Sequence, residues 1–182
     1  MEGSDSNEPA WEERPDVDAA LDEMEDSSPR AGALLAGALL DDLLGRLLTK
    51  TLPDDNVVKL RLIDLDYFGK CQWAYRLGLI CSIEFRDLRQ IGKIRNTFGH
   101  TWSPDISFDA SPVSDWVRSL EAPRHELGEA TGPGERLIPR GDVTDFAKTS
   151  NYHWWLTAVH YMFVRLLVRI DRAVRIRPAD PL

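Results

Sequence analysis

The chain has 182 residues, of which 43% are hydrophobic and 29% are charged. This is enough for one hydrophobic core, so we expect a single domain. The formal net charge is -8, but residues 1–29 alone carry eleven Asp or Glu and one Arg, which leaves the remainder at +2. The acidity argues against nucleic-acid binding by the N-terminal segment but does not exclude a basic surface on the rest.

Several features bear on the cellular compartment. The N-terminal segment is acidic rather than basic and then apolar, so we expect no signal peptide. The most apolar run, AGALLAGALL at 31–40, stops at Asp41 and Asp42 and is too short to cross a bilayer. The two cysteines, Cys71 and Cys81, indicate buried thiols rather than a disulfide framework. We therefore expect a cytoplasmic protein without membrane association.

The chain divides into a tail, a body and a short end. Residues 1–27 are predicted to be an acidic, disordered tail, within which 16–26 could form a short helix of marginal stability. Residues 28–177 are predicted to form one helical domain, and 178–182 a short tail.

The first long helix is predicted over 29–50. Ser28 is a suitable N-cap, and Pro29 suits the first helical turn. Leucine pairs then recur at 34/35, 39/40, 43/44 and 47/48, a spacing that gives a broad apolar face. The sequence LPDD at 52–55 is expected to end this helix.

The next two elements are also predicted to be helical. Residues 56–80 are expected to form one or two helices, although VVKLRLI alone would also fit a strand. Ser82 is then expected to cap a helix through Phe98, which Gly99 would end. Its apolar residues step by three and four: Leu88, Ile91, Ile94 and Phe98.

Residues 101–141 are predicted to be irregular. One short helix is expected around 112–120, with Ser111 or Ser114 as its cap. The stretch EAPRHELGEATGPGERLIPRGD is rich in polar residues, proline and glycine, which predicts an exposed loop.

The last predicted helix has two distinct faces. Arg165, Arg169 and Arg172 are spaced by four and three on one side, as a solvated face or a phosphate-binding track. They are the candidate nucleic-acid-binding residues. The opposite side is an apolar stripe of Phe146, Trp155, Ala158, Val159, Met162, Phe163, Leu166, Leu167, Ile170 and Val174. The predicted fold class is all-α, a compact bundle of four to five helices.

The sequence RNTFGH at 95–100 is the candidate reaction centre. Five positions on an ideal helix leave Arg95 and His100 about 140° apart, whereas Asn96 and His100 share a face. Gly99 could let the last turn unwind and bring His100 round, or a partner chain could supply the second group. Alternatively, Arg95 forms a surface ion pair and His100 stabilises a helix C-terminus.

The stretch DLRQIGKIRNTFGH resembles the IRNxFAH-type segment of the mannitol-repressor-like (MltR) family, with Gly99 where alanine is common. AGALLAGALLDDLLGRLL and FGKCQWAYRLGLI resemble that family's first long helix and its central helix. The likeness covers roughly 29–175. The R-N-x-x-x-H arrangement also resembles the motif of the HEPN superfamily, whose helical domains often act as paired, metal-independent RNases.

The HEPN resemblance implies an RNA endonuclease that acts as a homodimer. His100 would transfer protons, Arg95 would stabilise the phosphate in the transition state, and Asn96 would orient either group. The MltR resemblance implies instead a non-enzymatic regulator that binds a regulatory protein partner.

No cofactor and no metal ion are expected. His153 and His160 are seven residues apart, about 10.5 Å along a helix, which is too far for one ion. No Cys-x-x-Cys, His-Glu-x-x-His or phosphate-binding glycine loop occurs.

Overall fold

The computed structural model describes residues 17–53, 65–101, 103, 105–126 and 150–176 of the chain. Every regular element within these ranges is a helix, which confirms the all-α class. The helices, in chain order, are α1 (Val17–Asp26), α2 (Pro29–Thr51), α3 (Tyr67–Arg76), α4 (Ser82–His100), α5 (Val113–Arg118), α6 (Ala122–Glu126) and α7 (Asn151–Arg172).

Helix α2 lies at the centre of the bundle and packs against α1, α3, α4 and α7. It begins as predicted, since the side chain of Ser28 accepts a hydrogen bond from the backbone N–H of Ala31 and Pro29 occupies the first turn. It ends one residue beyond the prediction, at Thr51. Buried residues occupy one broad face: Ala33, Ala36, Leu40, Leu43, Leu44, Leu47 and Leu48.

Helix α1 belongs to the bundle rather than to a disordered tail. Met24 is fully buried, and its carbonyl accepts a hydrogen bond from the hydroxyl of Tyr152 on α7. The short helix predicted over 16–26 is thus confirmed and is held by tertiary packing. Residues 1–16 lie outside the described part of the chain.

Helix α3 is joined to α4 by the ring of Tyr67, which is buried and donates its hydroxyl to the carbonyl of Leu88, 2.9 Å away. The N-cap of α4 is Cys81 rather than Ser82. Cys71 is buried as predicted, but Cys81 is exposed because it lies at this helix end; both thiols are free. Residues 54–64, which include the whole of the alternative strand, lie outside the described residues.

The segment after α4 contains the predicted short helix, α5, and a second helix, α6, that was not predicted. Residues 127–149, which include most of the predicted exposed loop, lie outside the described residues. Neither predicted serine caps α5: the N-cap is Pro112, and Ser114 lies buried inside the helix. The predicted exposed loop begins with α6, where Ala122 is fully buried. The Asp87 carboxylate of α4 explains this, because it accepts the backbone N–H groups of Glu121 and Ala122 at 2.9 and 2.6 Å.

Helix α7 confirms the predicted apolar stripe from Trp155 to Leu166, all of it buried. The stripe does not continue to Val174, which is 80% exposed because the helix ends at Arg172. Phe146 lies outside the described residues. No helix in the described ranges is long and apolar enough to cross a membrane.

The close approach of α3 to α4 gives a test of this packing. A methyl group on Gly92 would lie 2.5 Å from Cε1 of Tyr67, whose buried ring cannot move without losing its hydrogen bond. We expect Gly92→Ala to lower the free energy of unfolding by about 1–3 kcal/mol in urea denaturation.

The matched control is Gly45→Ala on α2, where the nearest atom, Nζ of Lys70, lies 3.8 Å away. This variant should be neutral or gain about 0.5–1 kcal/mol from helix propensity. Equal effects of the two substitutions would contradict the packing described.

Candidate functional site

The side chain of Arg95 is held within its own chain. Its stem lies against α2 so closely that a methyl group on Gly37 would be 2.5 Å from the Arg95 Cγ. Its guanidinium carbon lies 5.7 Å from the ring centroid of Tyr67, in a cation–π arrangement. Arg95 is therefore partly buried and takes part in the α2–α3–α4 packing.

His100, by contrast, is exposed in the last turn of α4. Gly99 does not end the helix: α4 continues through His100, and the backbone N–H of Thr101 bonds to the carbonyl of Thr97. The last turn is supported from α2, since Arg30 donates to the carbonyl of Thr101 at 3.1 Å. The unwinding that would bring His100 toward Arg95 therefore does not occur, and a regular helix separates the two by about 140°.

Glu84, in the first turn of α4, is the centre of a buried network of polar groups. Its side chain is 2% exposed and bonds to Arg165 and Arg169 of α7. The Arg165 Nε lies 3.0 Å from Oε1, and the Arg169 Nη2 lies 2.8 Å from Oε2 and 3.0 Å from Oε1. The backbone N–H of Cys81 donates to Oε2 at 2.7 Å.

These bonds decide the charge of Glu84. Burial raises the pKa of this carboxyl, but the Cys81 N–H and the two arginines outweigh burial, so the pKa lies below its ordinary value. The carboxylate is charged at neutral pH and neutralises part of the basic stripe on α7. Arg165 and Arg169 are 20% and 25% exposed, whereas Arg172 is exposed. Nucleic-acid binding by these three residues stays a prediction.

A second basic surface, which is exposed, lies on α4. Its basic residues Arg86, Arg89, Lys93 and His100 are all exposed and recur at spacings that keep them on one side of the helix. We call this set the α4 face. Both carboxylates of α4, Glu84 and Asp87, are buried on the other side. The α4 face therefore carries only positive or titratable basic groups from its own helix, over about 21 Å.

Aromatic rings flank the α4 face. The guanidinium of Arg89 lies 5.6 Å from the ring centroid of Phe85, and the ammonium of Lys93 lies 5.8 Å from that of Trp116 on α5. Phe85 is stacked on Tyr75 of α3 at 4.7 Å, and Tyr75 is 42% exposed. Cations beside partly exposed aromatic rings are typical of protein contact surfaces.

An open cavity between α2 and α3 is a weaker candidate. It measures about 370 Å³ and includes Asp41, Asp42, Arg46 and Lys70 in its lining. Its charges pair with each other, Lys70 with Asp41 at 2.7 Å and Arg46 with Asp42 at 2.6 Å. Among the described residues, no three His, Cys, Asp or Glu side chains lie close enough together to hold a metal ion.

Comparisons with known proteins bear on the fold. No protein-family model matches the sequence, and no curated protein matches it. The chain is similar in structure to a chain of the MtlR–HPr complex from Escherichia coli, known from an X-ray structure. The identity is 16% over 86% of this chain and 96% of that chain, with a TM-score of 0.50. At this identity the likeness concerns the fold, which is MtlR-like.

The sequence patterns missed Glu84 and the α4 face, although both left a signal. Glu84 lies four residues before Leu88 and so falls on the buried side of α4, where a charged residue needs a partner. It also stands three residues after Cys81, at the position of a capping-box glutamate. The α4 face is visible as a spacing of three and four between Arg86, Arg89 and Lys93.

The structure makes Glu84→Gln a test of the buried network. Because the substitution leaves two partly buried arginines without their carboxylate, we expect a loss of about 3 kcal/mol in the free energy of unfolding, measured in urea.

The control is Glu121→Gln, which removes the carboxylate from an exposed pair with Arg86; the two side chains are 36% and 60% exposed. This variant should change stability by less than about 0.5 kcal/mol. A Glu84→Gln protein as stable as the control would show that the network does not hold α4 to α7.

Proposed function

We propose that this chain is a non-enzymatic regulator of the mannitol-repressor type, which works by binding another protein. The observation that carries the proposal is the position of Arg95. Its stem packs on Gly37 and its guanidinium lies over Tyr67, so the arginine of the R-N-x-x-x-H motif serves the fold. His100 lies exposed at the end of the same helix, which leaves a single chain without an assembled phosphate-binding and proton-transfer pair.

The MtlR-like fold suggests the first partner to examine. The similar chain is part of a complex with HPr. We extend that partner to this chain as a proposal: an HPr-type protein of the same host would bind the folded chain. The exposed α4 face and the aromatic residues beside it provide a surface suited to protein contact.

A metal-independent RNA endonuclease is the second candidate, favoured by the exposure of His100 on the basic α4 face. In that case Asn96, which is partly exposed, would orient a substrate or His100, and Arg95 would have to leave its contact with Tyr67. Because one chain does not bring Arg95 and His100 together, this function requires a homodimer in which each copy supplies a histidine.

One pair of measurements separates the two candidates. We expect calorimetry to show binding of the HPr-type protein of the same host, and wild-type chain to leave varied RNAs uncut in the presence of a chelator. His100→Ala should change the free energy of unfolding by less than about 0.5 kcal/mol, because the side chain is exposed.

The opposite pattern would contradict the regulator. RNA cleavage that continues in chelator and disappears in His100→Ala, while the variant stays folded, would establish the nuclease. Absence of any binding to the HPr-type protein would remove the proposed partner. If RNA is cleaved, light scattering would show whether the species that cleaves it is a homodimer.

A further inference from the structure

The charge of α4 is strongly sorted between its two sides. Every residue of this helix is described, and its two carboxylates are both 1% exposed. Arg86, Arg89 and Lys93 are exposed on the opposite side, with His100 two turns further along. A solvated helix face usually mixes both signs of charge, because pairs of opposite sign at spacings of three and four stabilise the helix. This face has no such pairs within α4.

The α4 face already binds one carboxylate. Glu121, which immediately precedes α6, pairs with Arg86 through both of its oxygens, at 3.1 Å from Nη1 and 3.3 Å from Nη2. The contact is solvent-accessible, with side-chain exposures of 60% for Arg86 and 36% for Glu121. The planar guanidinium is suited to such two-point binding of a carboxylate. The neighbouring Arg89 and Lys93 are bonded to no carboxylate in the described contacts.

The spacing of these cations suits a helical ligand. Residues three and four apart on a helix lie about 5–6 Å from each other, so carboxylates at the same spacing on a second helix could face Arg86, Arg89 and Lys93 in turn. The partly buried rings of Phe85 and Trp116 lie beside these cations and would cover the apolar parts of such a segment.

Nucleic acid fits this surface less well than an acidic protein segment. Nucleic-acid binding commonly neutralises about 6–10 phosphates along a dense line of charge. The α4 face has only four basic groups, one of which is already paired with Glu121. A protein segment with a few carboxylates in a fixed geometry therefore matches the number of cations on the α4 face better than a nucleic acid does.

We infer that the α4 face is the docking surface for an acidic helical segment of a partner protein. The inference rests on the proposed function and specifies the chemistry of its partner. Arg86, Arg89 and Lys93 bind carboxylates of that segment, and the rings of Phe85 and Trp116 pack against its apolar residues. Glu121 competes with the partner for Arg86.

The experiment uses the full chain and a helical peptide of about 20 residues with glutamates three and four apart, beside the same peptide with glutamines. Fluorescence anisotropy at about 50 mM salt measures binding. The double variant Arg89→Gln and Lys93→Gln should weaken binding of the glutamate peptide about tenfold. The control, Lys50→Gln and Arg76→Gln, removes two exposed cations from other helices and should have no effect beyond about twofold.

A variant that is expected to bind the peptide more tightly provides a second test, because a damaged fold would not increase affinity. Glu121→Gln removes the competing carboxylate but keeps the backbone N–H that bonds to Asp87. This variant should bind the glutamate peptide about two- to threefold more tightly. The glutamine peptide should bind weakly to every variant.

Five outcomes would overturn the inference, of which the first four concern the peptide or RNA. These four are no binding of the glutamate peptide, equal weakening by the two double variants, unchanged affinity in Glu121→Gln, and tighter binding of a single-stranded RNA of similar length that depends on Arg89 and Lys93. The last of these four would assign the α4 face to nucleic acid. Binding of an HPr-type protein that is unaffected by Arg89→Gln and Lys93→Gln would reject the α4 face and leave the proposed function standing.

Discussion

The buried carboxylate of Glu84 holds the first turn of α4 to the basic stripe of α7. It stands at the start of α4 and binds Arg165 and Arg169 on α7, so two distant parts of the chain share one ion-pair network. A buried carboxylate is costly unless it is fully bonded, and here three residues donate hydrogen bonds to it: Cys81, Arg165 and Arg169. Arg165 and Arg169 are thereby held in the fold, whereas Arg86, Arg89 and Lys93 on the other side of α4 stay exposed.

Helix α4 also keeps apart the two residues of the R-N-x-x-x-H motif that a nuclease would use. Arg95 points toward α2 and the ring of Tyr67, whereas His100 is exposed at the end of α4. The motif that suggests a nuclease in the sequence therefore has Arg95 packed within the fold and His100 exposed to solvent. Function through contact with another protein requires no rearrangement of Arg95, which is the physical reason for preferring the regulator.

Local signals predicted the parts of the fold that local interactions determine. Ser28 and Pro29 mark the start of α2, and the recurring leucines mark its buried face. The stripe from Trp155 to Leu166 predicted the buried side of α7. Patterns failed where a partner distant in sequence decides the outcome. Helix α6 forms within the predicted loop because Asp87 accepts the backbone N–H groups of Glu121 and Ala122 at its start.

The candidate site was predictable in part for the same reason. The motif residues could be named from the sequence, and the helix that carries them was predicted. The direction of Arg95 depends on the close approach of Gly37 on another helix, which no local pattern reveals. The pairing of Glu84 with Arg169 joins residues 85 positions apart, so the arginines of α7 looked like an open basic face until that carboxylate was placed.

The most direct measurement of the central claim is a double-mutant cycle between Glu84→Gln and Arg169→Gln, followed by urea denaturation. If the two side chains form one buried network, the losses in the free energy of unfolding should fail to add, with a coupling of about 2 kcal/mol. Losses that add to within about 0.5 kcal/mol would show that Glu84 and Arg169 act independently, and would contradict the account.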